Sequence, residues 1–134
     1  MLLTLDNPET APAPAGPYSN VARIDLGGAV MLVLAGQIAL DEEGRLVGEN
    51  DISAQSRQIF EIIKALLAAH GAGFRDVVNI RTFMTDLGML PDYGKVRTDY
   101  LDGHVPTSTT VEVSRLFRPG ALLEVEVTAV IPAS

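Results

Sequence analysis

One run constrains this chain more than any other. AVMLVLAGQIAL, residues 29–40, is unbroken apolar from Ala29 to Ala35. A strand with one face in water alternates apolar and polar residues, because successive side chains point to opposite faces. The uninterrupted run therefore predicts a strand covered on both sides. Any fold that hosts it must bring something to each face of its sheet.

The rest of the chain supplies partners for that strand. YSNVARIDL, residues 18–26, predicts a strand before it, and DEEGRL, residues 41–46, predicts a turn with Gly44 at the left-handed position. Asp51 or Ser53 can cap a helix that runs to about His70 and ends at Gly71. Its buried stripe is Ser56, Ile59, Phe60, Ile63, Leu66 and Leu67, at helical spacing. DVVNIRTFMTD, residues 76–86, has strand periodicity, with Val78, Ile80, Thr82 and Met84 on one face and Asn79, Arg81, Phe83 and Thr85 on the other. Pro91 suits the first turn of a second helix, reaching about Leu101. Strands near 108–116 and 122–131 close the chain around the turn FRPG.

This order predicts an α+β domain with two helices packed on one face of a single sheet. The other face then needs a cover, and self-association supplies one. Residues 1–134 read as a single domain, with 1–16, rich in Pro and Ala, as an extended lead-in. The absence of cysteine excludes disulfides and thiolate chemistry. A net charge of −7 with no basic run argues against nucleic-acid binding. No stretch is apolar enough for a membrane span, and the N-terminus lacks signal-peptide character, so a cytoplasmic protein is expected.

Few residues carry candidate chemistry. Nucleotide-cradling and nucleophile-elbow motifs do not occur. His70 and His104 are far apart in sequence, so no metal site is expected; His70 reads as a helix-end residue and His104 as an exposed loop residue. Asp41, Glu42 and Glu43 read as a solvated turn. Glu124 and Glu126 project to the same side of the last strand, either into solvent or into a cleft where a carboxylate could act as a base. Arg97 completes the helical stripe of Tyr93, Val96 and Tyr100, so its charge must snorkel out, pair with a carboxylate, or meet a ligand. Three adjacent hydroxyl residues, Ser108, Thr109 and Thr110, open the strand after Pro106.

Several segments, in order, resemble one family. APAPAGPYSN is similar to an opening AP-x-x-x-GPYSQ, and LAGQIALDEEGRLV to an SGQ strand and turn. DISAQSRQIFEIIKALLAAHGAGFRDVVNIRTFMTDL resembles a long helix and strand with an A-Q-x-R-Q start, and PTSTTVEVSRLFRPGALLEVEVTAV a closing hairpin. Together, over about Ala11 to Val130, they resemble the Rid (YjgF-type) family of reactive-intermediate deaminases. The resemblance implies a chorismate-mutase-like α+β fold and a homotrimer with a small-molecule pocket in each cleft between subunits. It also implies hydrolysis of an imine or enamine, such as 2-aminoacrylate, to a 2-oxo acid and ammonia, without metal or cofactor. The pocket positions carry over to Tyr18, Ser108, Thr110 and Glu124.

Two departures bear on activity. Ser108 stands where the family has the arginine that binds the substrate carboxylate, and Arg97 stands where the family usually has a pocket-facing asparagine. The loop from Tyr100 to Pro106 is also short. A hydrogen bond to a charged group is worth ~1.5–3 kcal/mol, so losing the arginine would weaken a carboxylate ligand by about tenfold to a hundredfold or more. Efficient 2-aminoacrylate deamination is therefore not expected. Two readings stay open: a Rid-type protein hydrolysing some other imine or enamine, and a catalytically silent metabolite-binding or protein-interaction module.

Overall fold

The computed structural model describes residues 2–133. Six strands form one mixed sheet: β1 Leu3–Asp6, β2 Val21–Asp25, β3 Ala29–Leu34, β4 Val77–Met84, β5 Thr107–Glu112 and β6 Leu123–Pro132. Their spatial order is β1-β2-β3-β6-β4-β5. All neighbours are antiparallel except β4 and β5, which run parallel. Part of the expected lead-in is thus a paired strand, since β1 lies against β2. The closing hairpin is not formed. A parallel neighbour needs a crossover, and helix α2, Leu90–Leu101, supplies it, leaving β5 on the edge with β4 between it and β6.

Helix α1 spans Ile52–Ala68, and the Asp51 side chain caps it by accepting from the Ala54 N–H at 3.0 Å. Beyond its end Gly71 takes φ +76°, as expected for the turn out of a helix. The whole predicted stripe is buried, with Ile59, Phe60, Ile63, Leu66 and Leu67 at 0% exposure. Each side chain of that size, fully buried, contributes roughly 1.5–3 kcal/mol. Phe60 also fixes α2 on α1, because its ring stacks on Tyr100 at 5.2 Å and on Tyr93 at 6.1 Å. That packing sets the direction of Arg97, one turn beyond Tyr93.

The face assignment along β4 holds from Ile80 onward but fails at Val78. A register shift between Val77 and Asn79 turns Val77 into the core and leaves Val78 46% exposed. An extra residue at a bulge reverses side-chain alternation before it, which no periodicity reveals.

Both helices and the core lie on one face of the sheet. On the other, the register aligns Leu3, Leu5, Ala22, Ile24, Met31, Val33 and Val130 in an apolar field. Leu5 is 61% and Val33 38% exposed, so within one chain the apolar run of β3 is buried on one side only. Towards β4 and β5 the same face turns polar, with Glu124, Glu126, Arg81 and Thr109. His70 is no mere helix end: its Nε2 lies 2.9 Å from Asp6 Oδ2 on β1, and its Nδ1 3.3 Å from Arg23 Nη1 on β2. It fastens the first two strands to the foot of α1. His104 is only partly exposed, with Nε2 2.7 Å from the Val77 carbonyl oxygen.

Candidate functional site

On the helix side of the sheet edge, α2 and β5 present a cation held by a hydroxyl. Arg97 Nη1 donates to Ser108 Oγ at 2.9 Å. Ser108 lies opposite Ile80 and Thr110 opposite Thr82, so both hydroxyl residues share the face that α2 flanks. Beneath them Tyr93 and Thr82 share a 2.6 Å hydrogen bond in the core. Burial pushes the Tyr93 hydroxyl above its ordinary range, with the Thr82 bond and the nearby Arg97 charge acting against the rise. Tyr93 therefore stays neutral beside Arg97.

Among the described residues, no carboxylate oxygen comes within 4.0 Å of Arg97. Within one chain Arg97 therefore pairs with neither Glu124 nor Glu126. Glu126 Oε1 instead lies 3.1 Å from Arg81 Nη1. The reason is facial: Arg81 pairs directly with Glu126 across β4 and β6, whereas Arg97 reaches the sheet from the helix side.

Glu124 occupies the opposite face. It is half-buried, and burial first, then the negative charge of Glu126, push its carboxyl above the ordinary glutamate range. Its side chain lies across Gly36, just beyond β3. A Cβ on Gly36 would stand 2.8 Å from Glu124 Cδ and 3.0 Å from Cγ, so any other residue there would displace the Glu124 side chain from this position. Gln37 locks the crossing: its N–H donates to the Val125 oxygen at 2.8 Å, and the Val125 N–H donates back at 3.1 Å. On the other side of Gly36 lies a small cavity lined by Tyr18, Asn20, Gln37, Ile62 and Phe117. Tyr18 is 44% exposed, and its hydroxyl accepts from the Ala15 N–H at 3.2 Å.

The structure thus gathers the five predicted residues into two groups. Arg97, Ser108 and Thr110 form one; in the other Glu124 lies across Gly36, which also lines the cavity that holds Tyr18. Glu124 is paired with Phe83, and Ser108 with Ile80, on alternate faces of β4. A single chain therefore cannot direct both groups at one small molecule.

Sequence reasoning missed Gly36, Gln37 and Phe117. A glycine interrupting an apolar strand was the available signal for the first, since it marks close approach by another group. Gln55 was also missed. It is fully buried, donates to the Gly48 and Gly120 oxygens at 3.1 and 3.0 Å, and accepts from the Leu122 N–H at 2.9 Å. It thereby pins the start of the strand that carries Glu124. No group of three or more residues suited to a metal ion occurs among the described residues.

Comparison with known proteins identifies the family. The family model described as endoribonuclease L-PSP matches residues 8–131. The 2-iminobutanoate/2-iminopropanoate deaminase of Salmonella typhimurium is 37% identical over 128 residues, covering 91% of this chain and 93% of that protein. The solved structure of YyfA from Yersinia pestis, titled as a protein of unknown function of the conserved Rid family, has a TM-score of 0.85 and 34% identity, covering 96% of this chain and 99% of that one. E. coli TdcF, solved with bound serine, gives a TM-score of 0.81 and 30% identity, covering 96% and 98%. By its sequence and by the sheet, helices and order of elements, this chain belongs to the endoribonuclease L-PSP family, that is, the Rid/YjgF family.

Proposed function

We propose that this protein binds a small anionic metabolite in clefts between copies of itself, three in number, and hydrolyses an imine or enamine there to a 2-oxo acid or other carbonyl compound and ammonia. The carrying observation is Arg97. It is a guanidinium held in place by a hydroxyl, with no carboxylate of the described residues to neutralise it, on a chain of net charge −7. Such a group is suited to a ligand carboxylate, through charge-assisted hydrogen bonds. Ser108 accepts from Arg97, so its own O–H is left to donate to the same ligand. Thr110 and Tyr18 bound the space.

Glu124 supplies the base. In the proposed step it takes a proton from water while the water oxygen bonds to the carbon of the C=N group. The C=N electron pair moves to nitrogen, which takes the proton from Glu124. The hydroxyl proton of that adduct then passes to the nitrogen through Glu124, and the C–N bond breaks to release ammonia as the C=O bond forms, with no oxidant or reductant needed. An enamine first becomes the imine by gaining a proton on carbon. Because Arg97 and Glu124 sit on opposite faces of one sheet, the ligand meets Arg97 of one copy and Glu124 of its neighbour. The deaminase name carried by the Salmonella relative supports this reaction class. The soluble, cytoplasmic setting expected from sequence is kept as part of the proposal.

The test is Arg97→Ala, with pyruvate as the carboxylate probe in calorimetry and ammonia release followed from a panel of enzymatically generated imines. Pyruvate affinity should fall about tenfold to more than a hundredfold, the value of a hydrogen bond to a charged group at ~1.5–3 kcal/mol. Adding Ser108→Arg to that variant should restore binding, since a cation returns from the neighbouring wall. Ser108→Arg in the unaltered chain should not, because it sets two guanidinium groups side by side. Sedimentation equilibrium on the same samples should give three chains per particle. Unchanged affinity in Arg97→Ala, or a stable monomer at micromolar concentration, would sink the reading. Binding without turnover of any imine would support the silent metabolite-binding module instead.

A further inference from the structure

Of the seven aromatic side chains (three Tyr and four Phe), one is placed against ordinary economy. Phe60, Phe74, Tyr93 and Tyr100 pack against one another, stacked or edge-on, in and beside the core. Phe83 lies under the Arg81 guanidinium at 5.9 Å. Phe117 is 63% exposed. Its exposure is not the slack of a free loop. Leu116 packs on the small cluster of Ile38, Leu40 and Ala121. Arg118 Nη1 donates to the Gly44 oxygen at 2.8 Å, and the Arg118 oxygen accepts from the Ala121 N–H at 3.1 Å. Gln55 holds the Gly120 oxygen at 3.0 Å. The backbone that carries Phe117 is thus anchored on both sides.

Two hollows meet at this ring. One is the small cavity that also holds Tyr18, Gly36 and Gln37, behind Glu124. The other is an open cleft of about 620 Å³ bounded by Thr85, Leu116, Pro119, Ala121 and Leu122, with Arg115 and Arg118 at its rim. That volume falls within the range of small-molecule sites, which are mostly apolar with a few placed polar groups. Thr85 and Leu122 line this cleft, and they meet across the strands next to the Phe83–Glu124 pair, on the same face of the sheet. The reacting carbon of a ligand at Glu124 therefore has an apolar space beside it, walled by an aromatic ring.

We infer that Phe117 selects the substrate side chain: it is the wall on which an aliphatic or aromatic side chain of several carbons packs, so the site takes 2-imino acids of that class over the smallest ones. The two rim arginines work in the same direction, since they repel a cationic side chain. This inference rests on the proposed site at Glu124 and Arg97, and adds the substrate class to it.

The experiment measures binding of four 2-oxo acids, the products of the proposed hydrolysis, to the intact protein and to Phe117→Ala and Phe117→Leu. The probes are pyruvate, 2-oxobutanoate, 4-methyl-2-oxopentanoate and phenylpyruvate. In the unaltered protein affinity should rise along that series. Phe117→Ala should lose at least about tenfold for the last two, as for methylenes removed from an apolar pocket, and keep pyruvate within about twofold. Phe117→Leu should recover most of the binding of 4-methyl-2-oxopentanoate. Sedimentation equilibrium should show the same assembly for all three proteins. Equal losses along the series, no loss at all, or dissociation of Phe117→Ala would overturn the selector, the last by making the ring a contact between copies. Failure of the underlying site looks different: none of the four acids binds, or Arg97→Ala leaves their binding unchanged.

Discussion

Arg81 and Arg97 are the same residue type a few ångströms from the same sheet, and the fold treats them in opposite ways. Arg81 projects from β4 onto the uncovered face, where Glu126 meets it at 3.1 Å and the Phe83 ring lies beneath it. Its charge is consumed within the chain. Arg97 comes from α2 on the helix side, where the Ser108 hydroxyl accepts from it and the neutral Tyr93 hydroxyl lies nearby. The carboxylates divide in parallel: Glu126 is paired, while Glu124 makes no ion pair among the described residues. Of these four residues one charge of each sign is left over, and they stand on opposite faces, where one chain does not bring them together. The proposed site between two chains rests on this separation of a cation and a carboxylate within one.

The sharpest way to break this comparison is at Glu124. Glu124→Gln removes the unpaired base and keeps the shape, so turnover of any imine substrate should fall by about 10²–10⁴, the worth of a general base, while pyruvate binding stays nearly unchanged. A variant that keeps turnover shows that the spare carboxylate does no chemistry.

A smaller effect compares the arginines directly. Arg81→Ala deletes an ion pair whose side chains are 55% and 31% exposed. Exposed pairs contribute only about 0–1 kcal/mol, so urea unfolding of the variant should shift by no more than that, with ligand affinity kept. Arg97→Ala should do the reverse, costing affinity and little stability. If the stability cost falls on Arg97 instead, its charge is structural and the contrast is false.

The smallest effect is a pH shift. Glu124 holds its proton above the ordinary glutamate range because of burial and the charge of Glu126. A base works only when deprotonated, so activity should be lost as pH falls through that raised value. Glu126→Gln removes the second cause and frees the Arg81 cation, and both changes favour the ionised form of Glu124. The acid limb of the kcat/KM profile should therefore move down but remain above the ordinary range, because burial persists. An unmoved or rising limb would show that the two carboxylates do not sense each other.

Much of the architecture was legible in the chain because it is written in near neighbours. The α1 stripe, the Asp51 cap, the Gly71 exit and the Pro91 start depend on residues a turn or less apart, and each stands where its pattern put it. Site residues were legible mainly through resemblance, since a Glu on a strand or a Ser after a Pro has no chemistry of its own until something faces it. Gln55 shows the limit. Its position in α1 reads as stripe edge, yet its three hydrogen bonds join segments up to 67 residues away.

What this sequence determines by itself is both helices, five of the six strands among the described residues, the aliphatic core and a serine at position 108. Those follow from side-chain periodicity and residue identity, which are local. Tertiary structure alone decided that β4 enters between β5 and β6, that the bulge at Val78 turns it outward, and that Glu126 takes Arg81 rather than Arg97. Each of these is a choice among partners distant in sequence, made by register and face. A strand displaced by one residue exchanges its two faces, so the same letters in another register would pair different charges.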